Sequence, residues 1–108
     1  MNQDIENRRS IESRIMRIVV NSAIENGYYL RVSGFSFCGN VDRIVESLMA
    51  TGDSRLLFYK DGKPAGSVLF VCGNSGGYDV ICDYSVSLAD VMTPAEQESD
   101  RIIQSIGA

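Results

Sequence analysis

The chain reads as an α+β domain in the order α-β-α-β-β-β-α, with a four-stranded, mainly antiparallel sheet and helices packed on one face. Three observations lead there. Between Arg55 and Tyr84, β-branched and aromatic runs alternate with turn residues: Leu56-Leu57-Phe58-Tyr59, Asp61-Gly62, Ser67 to Cys72, Gly73-Asn74-Ser75-Gly76-Gly77, then Tyr78 to Tyr84. That pattern predicts a three-stranded meander, and its glycines are incompatible with one continuous helix. Apolar residues at helical spacing precede it twice, at Ile11, Ile15, Ile18 and Val19 and again at Val41, Ile44, Val45, Leu48 and Met49. A final helix signature, Thr93-Pro94-Ala95-Glu96, follows it.

Taken in order, residues 1–9 are polar and expected to be frayed or only partly helical, and a single domain spans 10–108. Ser10 suits an N-cap, and the first helix should stop at Asn26-Gly27, where glycine accepts the left-handed conformation. Tyr28 to Val32 reads as a strand with Tyr28, Leu30 and Val32 on one face. A loop from Gly34 to Gly39 leads to Asn40, which caps a second helix ending at Thr51-Gly52. Ser85 to Met92 fits either a short helical turn or an extended crossing, and the last helix starts at Thr93. In the last strand Tyr78, Val80, Cys82 and Tyr84 alternate with Asp79, Ile81 and Asp83. The middle strand, Val68 to Cys72, is apolar on both sides. It is either covered above and below or presents an uncovered apolar face to a partner.

Composition excludes several function classes. The 108 residues contain no histidine and three widely spaced cysteines, Cys38, Cys72 and Cys82, without a CxxC pair. Zinc and iron–sulfur sites need three or four soft ligands close together, so no metal or other cofactor is expected, and the cysteines are read as core residues. Ten Lys and Arg against fourteen Asp and Glu give a net charge of −4, which argues against nucleic acid as the main partner. Arg8, Arg9, Arg14 and Arg17 cluster near the N-terminus and are read as a solvated helix face. No apolar run approaches the roughly 20 residues that span a bilayer. Met1 to Asn7 lacks the basic and apolar regions of a secretory signal, so the expected location is the cytoplasm of a bacterial cell.

Catalysis has little to draw on, and a non-enzymatic protein is expected. A serine or cysteine nucleophile would need a base other than histidine, and the only lysines, Lys60 and Lys63, flank the Asp61-Gly62 turn. The glycine-rich run Gly73 to Gly77 is followed by a strand and contains no lysine, which identifies a hairpin connection rather than a phosphate cradle. Asp79 and Asp83 share a strand face but lie about 13 Å apart, too far to ligate one calcium ion.

Two features point to protein contact. With Ile11 at zero and about 100° per residue, Ile11, Ile15, Ile18 and Val19 occupy one stripe of the first helix. Met16, Val20 and Ile24, with Ala23 close by, form a second stripe near the opposite side. Either another helix of the same chain covers it or a second copy does, in a twofold dimer. Phe35 and Phe37, in a short connection, either fold under the second helix or stand out as aromatic anchors for a partner.

The segment containing Asp61-Gly62, Gly66-Ser67-Val68, Val71-Cys72-Gly73-Asn74 and Tyr78-Asp79-Val80-Ile81-Cys82-Asp83-Tyr84-Ser85, with Leu88 and Val91, resembles small uncharacterised proteins encoded by bacteriophages and bacterial mobile elements. The resemblance covers residues 61–91. Those proteins often carry tryptophan where this chain has Ser67 and Tyr78. It implies a small accessory protein and supplies no catalytic residues. The expected function is therefore protein binding, with a homodimer or a host protein as partner and Met16, Val20, Ile24, Phe35 and Phe37 as candidate interface. An inhibitor of a host defence or nucleic-acid enzyme acting by steric occlusion is the alternative. A small-molecule site near the glycine-rich hairpin, Tyr78 and Tyr84 is a further one.

Overall fold

A computed structural model describes residues 2–35, 40–50, 53–71 and 80–107. Its elements are α1 (Asn2–Glu25), β1 (Tyr29–Val32), α2 (Val41–Met49), β2 (Asp53–Lys60), β3 (Lys63–Val71), β4 (Ile81–Tyr84), a 3-10 turn (Val86–Leu88) and α3 (Ala89–Gly107). The strands form one antiparallel sheet in the spatial order β1-β2-β3-β4. This is the α+β order and topology that the sequence predicts.

The helix α1 begins at Asn2, eight positions before the expected cap at Ser10. Residues 2–9 contain neither glycine nor proline, so nothing interrupts the helix, and Ser10 lies inside it with its carbonyl accepting from Ser13 Oγ at 2.9 Å. Its end follows the sequence signal. Gly27, at φ 85°, donates to the carbonyl of Ile24 at 3.0 Å, and Tyr28 N–H reaches the carbonyl of Ala23 at 3.0 Å. These paired bonds form a Schellman cap, and they satisfy carbonyls that the helix end would otherwise leave open. Lys60 strengthens that end. Its Nζ donates to the carbonyl of Asn26 at 3.2 Å and lies 4.7 Å from the Tyr28 ring centroid, placing a cation at the negative end of the helix dipole.

The two stripes of α1 have a shared explanation. This helix packs against both α2 and α3 and lies over β1, so its buried arc is far wider than one ordinary stripe. Ile11, Ile15 and Val19 from the first stripe and Met16, Val20 and Ala23 from the second are all buried in one core. Met16 and Val20 are therefore covered by their own chain. As interface residues they are ruled out, because no side-chain surface remains for a partner. Only Ile24, at the far margin of the arc, keeps 40% of its surface exposed.

The second helix is capped as expected, with Asn40 Oδ1 accepting from Arg43 N–H at 3.2 Å. Thr51 and Gly52, expected to end it, lie outside the described residues. Between β2 and β3 the turn is two residues long, with Asp61 and Gly62 both at positive φ (54° and 74°), the type I′ geometry that matches strand twist. Leu30, Val32, Leu56, Phe58, Val68 and Phe70 point to the helices and form the sheet's contribution to the core. The Tyr28 ring meets Phe58 edge-on at 5.5 Å.

The last third of the chain departs from expectation in two places. The β3–β4 register shifts between Leu69, opposite Asp83, and Phe70, opposite Ile81. Cys82 is the extra residue of this bulge and is exposed, so it is not a core residue and does not share a face with Val80 and Tyr84. Cys38, Cys72 and the glycine-rich run lie outside the described residues. The final helix starts at Ala89, carried forward from the 3-10 turn, and Pro94 sits inside it rather than at its first position. Leu88, Val91, Met92 and Ala95 are all buried at helical spacing, and starting at Thr93 would lose that arrangement. Burying each large apolar side chain contributes about 1.5–3 kcal/mol, which together outweighs the roughly 3 kcal/mol cost of an interior proline.

Candidate protein-binding surface

Among the described residues the three helices lie on one side of the sheet, and none of them covers the other, open face. Register determines what it carries. Tyr29 pairs with Tyr59, Arg31 with Leu57, Leu57 with Ser67, Arg55 with Leu69, Asp53 with Val71 and Leu69 with Asp83. Each of these residues is half-buried or exposed, in contrast to the buried Leu56, Phe58, Val68 and Phe70 beside them. Tyr29 alone exposes 67% of its surface. The middle of the face is aliphatic (Leu57, Leu69, Val71), the β1 side holds two tyrosines and Arg31, and carboxylates stand at Asp53 and Asp83.

Both arginines on this face are held against the sheet. Arg31 Nη2 donates to the Tyr59 hydroxyl at 3.0 Å, with its guanidinium 5.8 Å from that ring's centroid. Arg55 Nη1 donates to Ser67 Oγ at 3.0 Å across the β2–β3 pair. Side chains already fixed in this way lose little further freedom when a partner arrives. Tyrosine and arginine are also the residue types that concentrate binding energy in protein interfaces.

The sequence-predicted interface is not assembled. Met16 and Val20 are in the core, Phe37 lies outside the described residues, and Ile24 and Phe35 flank opposite ends of β1. Phe35 is 50% exposed, so it does not fold fully under the second helix. Its N–H donates to the carbonyl of Val32 at 2.9 Å. The apolar outer side of the middle strand was the signal for the open face. What the sequence did not single out were Tyr29, Arg31, Leu57 and Tyr59, because Leu56 to Tyr59 is apolar at every position and no alternation marks its outer side.

A concavity of about 610 Å³ lies between α1 and α2, lined in part by Val45 and Met49. Arg9 and Arg17 line it together with Asp42 and Glu46, so opposite charges balance there. Arg17, one of the cluster read from the sequence as a solvated helix face, is ion-paired to Asp42 of α2. Among the described residues no three His, Cys, Asp or Glu side chains come together as metal ligands. On the inner side Tyr84 of β4 interacts with Glu96 of α3. The Glu96 charge, then burial, then a side-chain hydrogen bond with Glu96 raise the tyrosine pKa above its ordinary value. No described helix is long and apolar enough to cross a membrane. No family model, curated protein or solved structure matches the chain.

Proposed function

We propose that the chain is a non-enzymatic protein-binding module whose working surface is the open face of the sheet. The observation that supports this reading is the one-sided placement of the helices. It leaves two tyrosines, two leucines and two pre-positioned arginines on a rigid, solvent-facing lattice of strands. An ordinary solvated sheet face would carry polar residues at Leu57, Leu69 and Val71. The resemblance to phage-encoded accessory proteins suggests that any partner is met in a bacterial cell. Affinity capture from bacterial lysate with mild cross-linking tests the reading, comparing the native chain with the double variant Leu57→Lys/Leu69→Lys. The native chain should retain a partner, itself or another protein, and the folded variant should lose it. Equal capture by the two chains, or no specific partner for the native one, would overturn it.

A further inference from the structure

The concavity between α1 and α2 sorts its charges by wall. Arg9, Ser13 and Arg17 recur every four residues along α1, so both cations of the site belong to that helix. Asp42 and Glu46, also four apart, bring both carboxylates from α2. Val45, Met49 and Ala50 of α2 give the site an apolar lining. Its volume of about 610 Å³ falls within the roughly 300–1,000 Å³ of sites that hold small organic ligands.

Arg17 and Asp42 are ion-paired across the site and answer each other's charge. Arg9 and Glu46 are different: among the described residues neither makes an ion pair. Because Arg9 lines the site together with Met49 and Ala50, α2 runs back along α1 from the Arg17–Asp42 pair. A helix rises about 1.5 Å per residue, so Glu46 stands roughly 6 Å and Arg9 roughly 12 Å from that pair along the groove. The two unanswered charges are offset by about 6 Å, the carboxylate nearer the pair and the guanidinium farther out. An occupant that suits this order carries a cation and an anion at a similar spacing and apolar side chains for the lining. Two residues of extended chain span about 7 Å, so a dipeptide with free termini has that spacing.

We infer that the concavity between α1 and α2 binds a short apolar peptide with free termini, its ammonium group at Glu46 and its carboxylate at Arg9. The forked donors of a guanidinium can engage both oxygens of a carboxylate, and Ser10 beside Arg9 adds a hydroxyl donor to the same wall. Arg9 and Glu46 are exposed, so each ion pair with the ligand adds little and binding is weak, with a Kd on the order of 1 mM. The site is separate from the open sheet face, and neither reading depends on the other.

Titration of the isotope-labelled chain with leucyl-leucine, followed through backbone amide chemical shifts, tests it. Saturable shifts should gather at Ser10, Ser13, Glu46 and Met49. N-acetylated and C-amidated leucyl-leucine should each bind roughly fivefold more weakly, because each leaves one of the two side-chain charges unanswered. Glu46→Gln should no longer distinguish the free dipeptide from its acetylated form, and Arg9→Gln should no longer distinguish it from the amide. Both substitutions fall at exposed positions, and thermal melts check that each variant is folded. A groove that offers only apolar contact would take all three peptides alike. That result, the absence of saturable shifts up to about 20 mM, or shifts gathered on the open sheet face instead, would overturn the site.

Discussion

The two faces of this sheet are built from alternate residues of the same strands, yet they do opposite work. On the inner face Leu56, Phe58, Val68 and Phe70 are buried beneath three helices. One position along, Leu57, Ser67 and Leu69 stand on the outer face with part of their surface in water. Local strand propensity is nearly the same for both sets. The difference lies in packing, because α1 is broad enough in its apolar arc to draw α2 and α3 to one side of the sheet and none remains for the other. A residue's contribution to stability and its availability to a partner are therefore set by face and not by residue type.

Truncation should separate the faces most sharply. Phe58→Ala or Phe70→Ala should cost about 3–5 kcal/mol in denaturant unfolding, while Leu57→Ala or Leu69→Ala should cost about 1 kcal/mol or less. Comparable losses on both faces would mean that the outer face is covered too. A smaller effect concerns how the inner face is closed at the 3-10 turn. Gly66 has φ 154°, and a Cβ there would lie 3.0 Å from Leu88 Cγ, Ser85 Cβ and Ser87 Oγ. Gly66→Ala should destabilise by about 1–3 kcal/mol. Ser67→Ala, next in sequence on the outer face, should remain within about 0.5 kcal/mol of native. The smallest effect belongs to Tyr84. Its pKa is raised in the folded state, so the folded chain holds that proton more tightly than the unfolded one. That contribution is fully present below about pH 10, the unfolded value, and is lost as pH rises through the folded value. Melting temperature should fall more steeply above that pH in native protein than in Tyr84→Phe. Identical slopes would rule out the Tyr84–Glu96 link as their cause.

Wherever a local signal and the packing agreed, the sequence was enough. Asn40, Gly27 and the Asp61-Gly62 turn are each marked by a residue whose conformation or side chain the site requires, and each lies where expected. Thr93-Pro94-Ala95-Glu96 is an equally good local signal that lost. The helix runs through it because Leu88, Val91 and Met92 gain more by burial than the cap offers. The bulge at Cys82 had no local mark, since cysteine carries neither glycine's conformational freedom nor a turn preference. Met16 and Val20 were legible as an apolar stripe, but spacing along one helix cannot say which neighbour covers it. For the candidate surface, the two-sided apolar character of Val68 to Cys72 was visible, and strand alternation set Tyr29 and Arg31 on the face away from Leu30 and Val32. Arg31 and Tyr59 become neighbours through pairing between strands 28 residues apart, a relation that no local pattern encodes.

The bulge at Cys82 bears on how large an assembly can grow. A sheet of four strands has two rims, and a flat rim invites another strand, which leaves a fresh rim for the next and so on into a fibre. Here β4 is four residues long and kinked by its extra residue. The other rim, β1, is also four residues long, and its Val32 carbonyl is already taken by Phe35. Growth along the rims is thus discouraged at both ends.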